Sequence, residues 1–124
     1  MAITAISARD KRKNRDADLS AYAWVDQATE LATRDDVDVV VELVGGENGI
    51  AKETIELALD NGKDVVTANK ALLAIHGQAL AERAEAAGRV IRFEAAVAGG
   101  IPVIKALTEG LAGNEIARVM GVMN

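Results

Sequence analysis

The sequence predicts an α/β protein organised around a parallel sheet, and three observations carry that expectation. Apolar runs of strand length alternate along the 124 residues with stretches of helical period. Half of the residues are hydrophobic while only 2% are aromatic, so the core must be built from Ala, Val, Leu and Ile. That is the composition of buried β-branched strands packed under Ala-rich helices. The alternation itself is a βαβ rhythm, which implies a doubly wound sheet with right-handed crossovers. A chain of this length makes about one small domain with a single core.

Each element follows from local sequence. "AITAISARD" (2–10) reads as a strand ending in charge, and "KRKNRDADL" as the polar loop after it. "AYAWV" (21–25) has the pattern of a short edge strand. "DQATELATRD" (26–35) fits a short helix with Asp26 as N-cap and Leu31 inward. "VDVVVELVGG" (37–46) is a nearly continuous apolar run closed by a Gly pair, the signature of a strand buried on both faces. Residues 50–61 place Ile50, Thr54, Ile55, Ala58 and Leu59 at helical spacing, with Gly62 as the stop. A strand at 64–66 leads into a helix over 70–87, with an interruption at Gly77 and a stop at Gly88. "VIRFEAAV" (90–97) reads as a strand. "GGIPVIKALTEGLAG" (99–113) reads as a helix with Pro102 in its first position and Gly113 past its end. A last strand is expected over 115–123.

Composition also excludes function classes. The net charge of −5 offers no basic surface for nucleic acid, and the local cluster of Lys11, Arg12, Lys13 and Arg15 is bordered by Asp10 and Asp16. Without cysteine there is neither a disulfide framework nor a thiolate metal site. No apolar run approaches the roughly 18–20 residues of a membrane span, and no signal peptide begins the chain, so a cytoplasmic protein without membrane contact is the default expectation.

In doubly wound sheets, ligands bind beyond the carboxyl ends of the strands. Three such ends carry unusual residues: Gly45-Gly46, Thr67-Ala68-Asn69-Lys70, and Glu94 running into Gly99-Gly100. Lys70 stands where a helix begins, and cations are disfavoured at a helix N-terminus, so it is poorly placed for stability alone. Gly45 and Gly46 either form a strand-terminal turn or let the backbone approach a ligand closely. Glu94 is a lone carboxylate among apolar neighbours, a setting in which pairing with Lys or Arg is the ordinary solution. His76, without a second ligand at metal spacing, is expected to pack or cap. Trp24 and Phe93 are expected in the core, and Lys105 on an exposed face.

The stretches "VDVVVELVGG", "GKDVVTANKALLAIHG" and "FEAAVAGGIPVIKALTEGLAGNEIARVMGVMN" together closely resemble the homoserine dehydrogenase family, from about Val37 to Asn124 and more loosely over 2–35. The resemblance implies a Rossmann-like fold and the NAD(P)-dependent, reversible oxidation of L-homoserine to L-aspartate 4-semialdehyde, a step of threonine and methionine biosynthesis. Family members open with a first strand and a G-x-G-x-x-G turn, and continue past "GVMN" into a substrate domain. Neither pattern occurs here, so the chain looks like an internal fragment. Residues 1–113 would form a partial NAD(P)-binding domain and 114–124 the start of the substrate domain. The missing strand would sit between those at 2–8 and 37–44, leaving two unpaired edges, and the isolated chain is expected to lack turnover.

The resemblance also implies residue roles. Arg9, Gly45, Gly46, Thr67, Ala68, Asn69 and Lys70 would contact the dinucleotide, and Lys70 would face the nicotinamide and the substrate hydroxyl. Arg9 and Asp10 both follow the second strand of the family fold, where an acid reads a 2′-hydroxyl and an arginine accommodates a 2′-phosphate; the lean is to NADP. Glu94, with the carbonyls of Val97, Gly99 and Ile101, would enclose a structural, sodium-like cation, an oxygen-only set that suits a hard ion. The full-length parent would be a homo-oligomer. Two other readings compete: another Rossmann oxidoreductase, and a non-catalytic dinucleotide-binding or interaction module.

Overall fold

A computed structural model describes residues 2–121. Its strands are all parallel but fall into two sheets. In the first, β1 (Ala5–Ile6) pairs with β2 (Ala23–Trp24). In the second, β4 (Asp64–Thr67) lies between β3 (Val39–Glu42) and β5 (Ile91–Arg92). The free edges of β1 and β3 have no strand partner among the described residues, which is where the resemblance leaves a gap. The chain is thus α/β and Rossmann-like, with parallel strands flanked by helices.

Register sets the core. Val40 lies opposite Val65 and Glu42 opposite Thr67, so these four side chains share one face. On that face Val40 and Val65 join Ile55, Ala58 and Leu59 of α2 (Ile50–Asp60), Leu72, Leu80 and Ala84 of α3 (Lys70–Ala86), and Ala32 of α1 (Ala28–Thr33) in one buried cluster. Each large aliphatic side chain withdrawn from water there contributes about 1.5–3 kcal/mol. Gly62, at φ +70, and Gly88, at φ +64, end α2 and α3 as expected.

Several expectations need correction. β3 is not buried on both faces: Val39 and Val41 point away from the core and are exposed, because no described helix covers that side. Ile50 is likewise exposed, and Ala51 takes the inward position at the start of α2. The cap of α1 is Gln27 and not Asp26, with Glu30 reaching back to the Gln27 amide at 2.8 Å; Ala32, not Leu31, is its buried residue. α3 runs unbroken through Gly77. The strand expected over 90–97 ends at Arg92, and two 3₁₀ turns follow, Glu94–Ala96 and Ala98–Gly100. Ala98, Gly99 and Gly100 all take positive φ, which no strand can accommodate. The final helix is short: α4 (Val103–Lys105) begins after Pro102 and widens into a π-helical turn over Ala106–Gly110. Residues 115–121 form no strand, and 122–124 lie outside the described residues. No described helix is long and apolar enough to cross a membrane.

Two polar devices fasten the helices. Arg83 of α3 makes paired contacts to Asp60 of α2 at 2.8 and 2.6 Å. Its guanidinium holds the Asp60 carboxyl below the ordinary range, so this contribution is present at neutral pH and is lost as acid protonates Asp60. Buried Lys63 donates its ammonium to the carbonyls of Arg34 and Val37 at 2.6 and 2.7 Å, locking the connection from α1 to β3. Lys63→Met keeps the aliphatic stem but strands both carbonyls. It is expected to cost about 1–3 kcal/mol in urea unfolding, whereas an unchanged midpoint would show the bonds to be dispensable.

Candidate functional site

The site grows from the carboxyl ends of β3 and β4. Glu42 ends β3 facing the core and is only 2% exposed. A buried carboxylate needs donors, and Glu42 has them on two sides. Its Oε1 accepts from the backbone N–H groups of Val44 and Gly45 at 2.7 and 2.9 Å. Its Oε2 accepts from the hydroxyl of Thr67, at the end of β4, at 2.6 Å. The Thr67 oxygen in turn accepts from the Asn69 amide at 3.0 Å.

Asn69 continues the chain of bonds. Its Oδ1 accepts from Leu72 N–H at 3.1 Å and caps α3, and its Nδ2 donates to the Gly46 carbonyl at 2.7 Å. The turn after β3 and the start of α3 are therefore held to one another twice, through Glu42–Thr67 and through Asn69–Gly46. Gly45 and Gly46 have φ of +81 and +87, left-handed values that glycine adopts freely and a residue with a Cβ only under strain. No protein atom would crowd a Cβ on Gly45, so backbone conformation alone explains the glycine there.

The turn thus brings Gly45 and Gly46 beside Thr67 and Asn69, with Ala68 between the latter two and Lys70 immediately after. Lys70 occupies the first helical position of α3, is exposed, and joins none of the ion pairs among the described residues. No acidic residue sits in that first turn to offset it. His76 bonds Asn48 through Nε2 at 2.9 Å, bracing the same loop from about two turns further along α3, in line with a packing role.

The other expected site residues lie apart from this cluster. Arg9 is exposed beyond β1. The loop after it folds over Trp24, whose ring has the Lys11 ammonium at 5.6 Å and the Arg15 guanidinium at 5.7 Å. Trp24 is accordingly a half-buried platform for cations, not the core residue its size suggested, and Phe93 is also only partly buried. Glu94 forms no ion pair with a Lys or Arg side chain among the described residues. Its two oxygens accept from the N–H groups of Ile104 and Lys105 at 3.0 and 2.9 Å, at the start of α4. Between them runs the left-handed turn that contains Gly99, with Val97 before it and exposed Ile101 after it.

Sequence reasoning missed Glu42. The signal was present in "VDVVVELVGG": Glu42 is in phase with the inward-facing Val40 and stands three residues before the glycine pair.

Comparison with known proteins points one way. A family model described as "Homoserine dehydrogenase, NAD binding domain" matches residues 1–94. The chain is 56% identical over 102 residues to a homoserine dehydrogenase of Neisseria gonorrhoeae, covering 82% of this chain and 23% of that protein. It is 46% identical over 114 residues to one of Pseudomonas aeruginosa, covering 92% of this chain and 26% of that protein. Among solved structures, the homoserine dehydrogenase of Thiobacillus denitrificans superposes with a TM-score of 0.70 at 45% identity, over 77% of this chain and 22% of that one. The chain spans about a quarter of the length of the curated relatives it matches.

Asn69→Ala removes both the α3 cap and the tether to Gly46. A loss of about 1–2 kcal/mol in chemical unfolding is expected, with Asn69→Asp recovering the cap but not the tether. Equal losses for the two variants would contradict separate roles for the two bonds.

Proposed function

The chain belongs to the homoserine dehydrogenase family, within its NAD-binding domain, and from that premise we propose that the protein it comes from oxidises L-homoserine reversibly to L-aspartate 4-semialdehyde with NAD(P). The observation that carries the proposal is the gathering of Gly45, Gly46, Thr67, Asn69 and Lys70 at the ends of two adjacent parallel strands, where α/β sheets bind ligands.

When bound, the nicotinamide accepts the hydride that leaves the substrate's carbinol carbon. The residues of this chain would orient that exchange and manage the accompanying proton. The turn at 45–46 presents backbone without side chains, leaving room for the dinucleotide; half-buried Ala68 would adjoin it, while buried Thr67 and Asn69 hold the turn from behind. Lys70 offers an exposed ammonium that joins no ion pair among the described residues. In this reading it stabilises the alkoxide that develops as hydride departs, or takes part in transfer of the hydroxyl proton. The unfavourable place of a cation at the first turn of α3 is the cost of that role.

Arg9, with the neighbouring cations of its loop, suits a 2′-phosphate and hence NADP in preference to NAD. Glu94 fits a sodium-like cation with the carbonyls of Val97, Gly99 and Ile101. Each carboxylate oxygen uses one lone pair on a backbone amide and keeps another. Residues 114–124 would lead from the dinucleotide domain into the substrate domain of a homo-oligomeric parent.

Three measurements test these roles in the full-length protein. Lys70→Ala should lower kcat by about a hundredfold or more while thermal stability holds or rises slightly, since an unfavourable helix charge is removed. Undiminished turnover would take Lys70 out of the reaction. Arg9→Ala should raise KM for NADP far more than KM for NAD, and equal effects would contradict the specificity assignment. For the cation, Glu94→Gln should weaken sodium dependence while leaving dinucleotide affinity nearly unchanged; an unaltered sodium response would remove the ion from Glu94.

A further inference from the structure

We propose that Glu42 is a positioning residue for the reaction: its carboxylate couples the 44–46 turn to the Thr67–Asn69 link and so sets where Lys70 stands against the dinucleotide. The inference rests on the functional reading given above and adds a residue which that reading does not use.

The bonds of Glu42 all run to the turn after β3 and to the end of β4. Its inward neighbour on β3 is Val40, and across the register lies Thr67. An apolar side chain on that face would join the buried cluster without the penalty of burying a carboxylate. Instead, all three donors to Glu42 come from two segments: Val44 and Gly45 from the turn after β3, and Thr67 from the strand end that precedes Lys70. No Lys or Arg pairs with it among the described residues.

The chemistry favours a carboxylate at this point. An ionised carboxylate only accepts, and its partners here are two backbone amides and one hydroxyl. The Thr67 hydroxyl has a single proton, given to Glu42, and its oxygen is already accepting from Asn69 N–H. Polarity therefore runs one way, from the Asn69 amide through Thr67 to Glu42. A glutamine could satisfy the two amides with its oxygen, but its NH₂ would face the Thr67 oxygen and leave the hydroxyl proton without that acceptor. Aspartate is one methylene too short to hold both sides. Asn69 is the cap of α3 and Lys70 its first residue, so the carboxylate controls the entry of the helix that carries the lysine.

A double-mutant cycle in the full-length protein tests this, with kcat and dinucleotide KM measured for Glu42→Ala, Glu42→Gln, Lys70→Ala and the Glu42→Ala/Lys70→Ala pair. Glu42→Ala alone should lower kcat about tenfold or more and raise dinucleotide KM about fivefold, with Glu42→Gln recovering part of both. In the Lys70→Ala background, Glu42→Ala should lower kcat by no more than about twofold further, because the group it positions is gone. Losses that multiply in full, or Glu42→Ala kinetics matching wild type per folded molecule, would overturn the proposal. Should Glu42→Ala fail to fold, Thr67→Val takes its place in the cycle with the same criterion of non-additivity. If the wild-type protein did not oxidise homoserine, the functional reading would fall first. The proposal would then be judged on NADPH affinity: weakening of about fivefold in Glu42→Gln or Thr67→Val supports the coupling, and unchanged affinity, or no wild-type binding, refutes it.

Discussion

One buried carboxylate organises the end of the sheet. By taking Val44 and Gly45 amides on one oxygen and the Thr67 hydroxyl on the other, Glu42 decides the path of two loops at once. Without it, the backbone after β3 would have two amides to satisfy elsewhere, and Thr67 would end β4 with a buried hydroxyl lacking an acceptor. Charged acceptors form stronger bonds than neutral ones, roughly twice as strong. A site that must hold its backbone still before a ligand arrives is well served by them. The Asn69–Gly46 bond then closes the arrangement from the other side.

The rest of the fold supports that end. The cluster around Ile55, Leu59, Leu72 and Val65 fixes β3, β4, α2 and α3 as one body, so the register that sets Glu42 opposite Thr67 is inherited from apolar packing. A slip of one residue would turn Glu42 to the outer face and Val41 inward. Lys63 and Arg83 add polar fasteners at the opposite end of α2, where the chain enters β4. These two fasteners thus lie at the far end of α2 from the 44–46 turn, and the outer face of β3 stays apolar and uncovered by the described helices, as Val39 and Val41 show.

Much of this was legible in the residues. Helical periodicity with glycine stops placed α2 and α3 almost to the residue, because capping and the left-handed glycine are local effects. The Thr67–Lys70 segment stood out for the same reason: a cation at the first position of a helix is a local anomaly. What sequence alone could not give depends on distant neighbours. "VDVVVELVGG" looks equally apolar whether one or both faces are covered, so the exposure of Val41 was invisible. The role of Glu42 needs the register with Thr67, 25 residues away. The segment after Arg92 misled for a different reason. "EAAVAGGIP" has β-formers, yet Glu94 ties back to the amides of Ile104 and Lys105, and three left-handed residues divert the chain.

The central claim is that Glu42 holds the 44–46 turn in place before any ligand binds. Hydrogen exchange of the Val44 and Gly45 amides, followed by NMR in the ligand-free full-length protein, addresses it most directly, since both residues lie in an exposed turn whose N–H groups are bonded only to that carboxylate. Exchange slowed by about tenfold or more relative to the unbonded amides of nearby loops is expected, with the protection disappearing in Glu42→Ala while amides in α2 keep theirs. Val44 and Gly45 amides that exchange as freely in the wild-type protein as in the variant would contradict it.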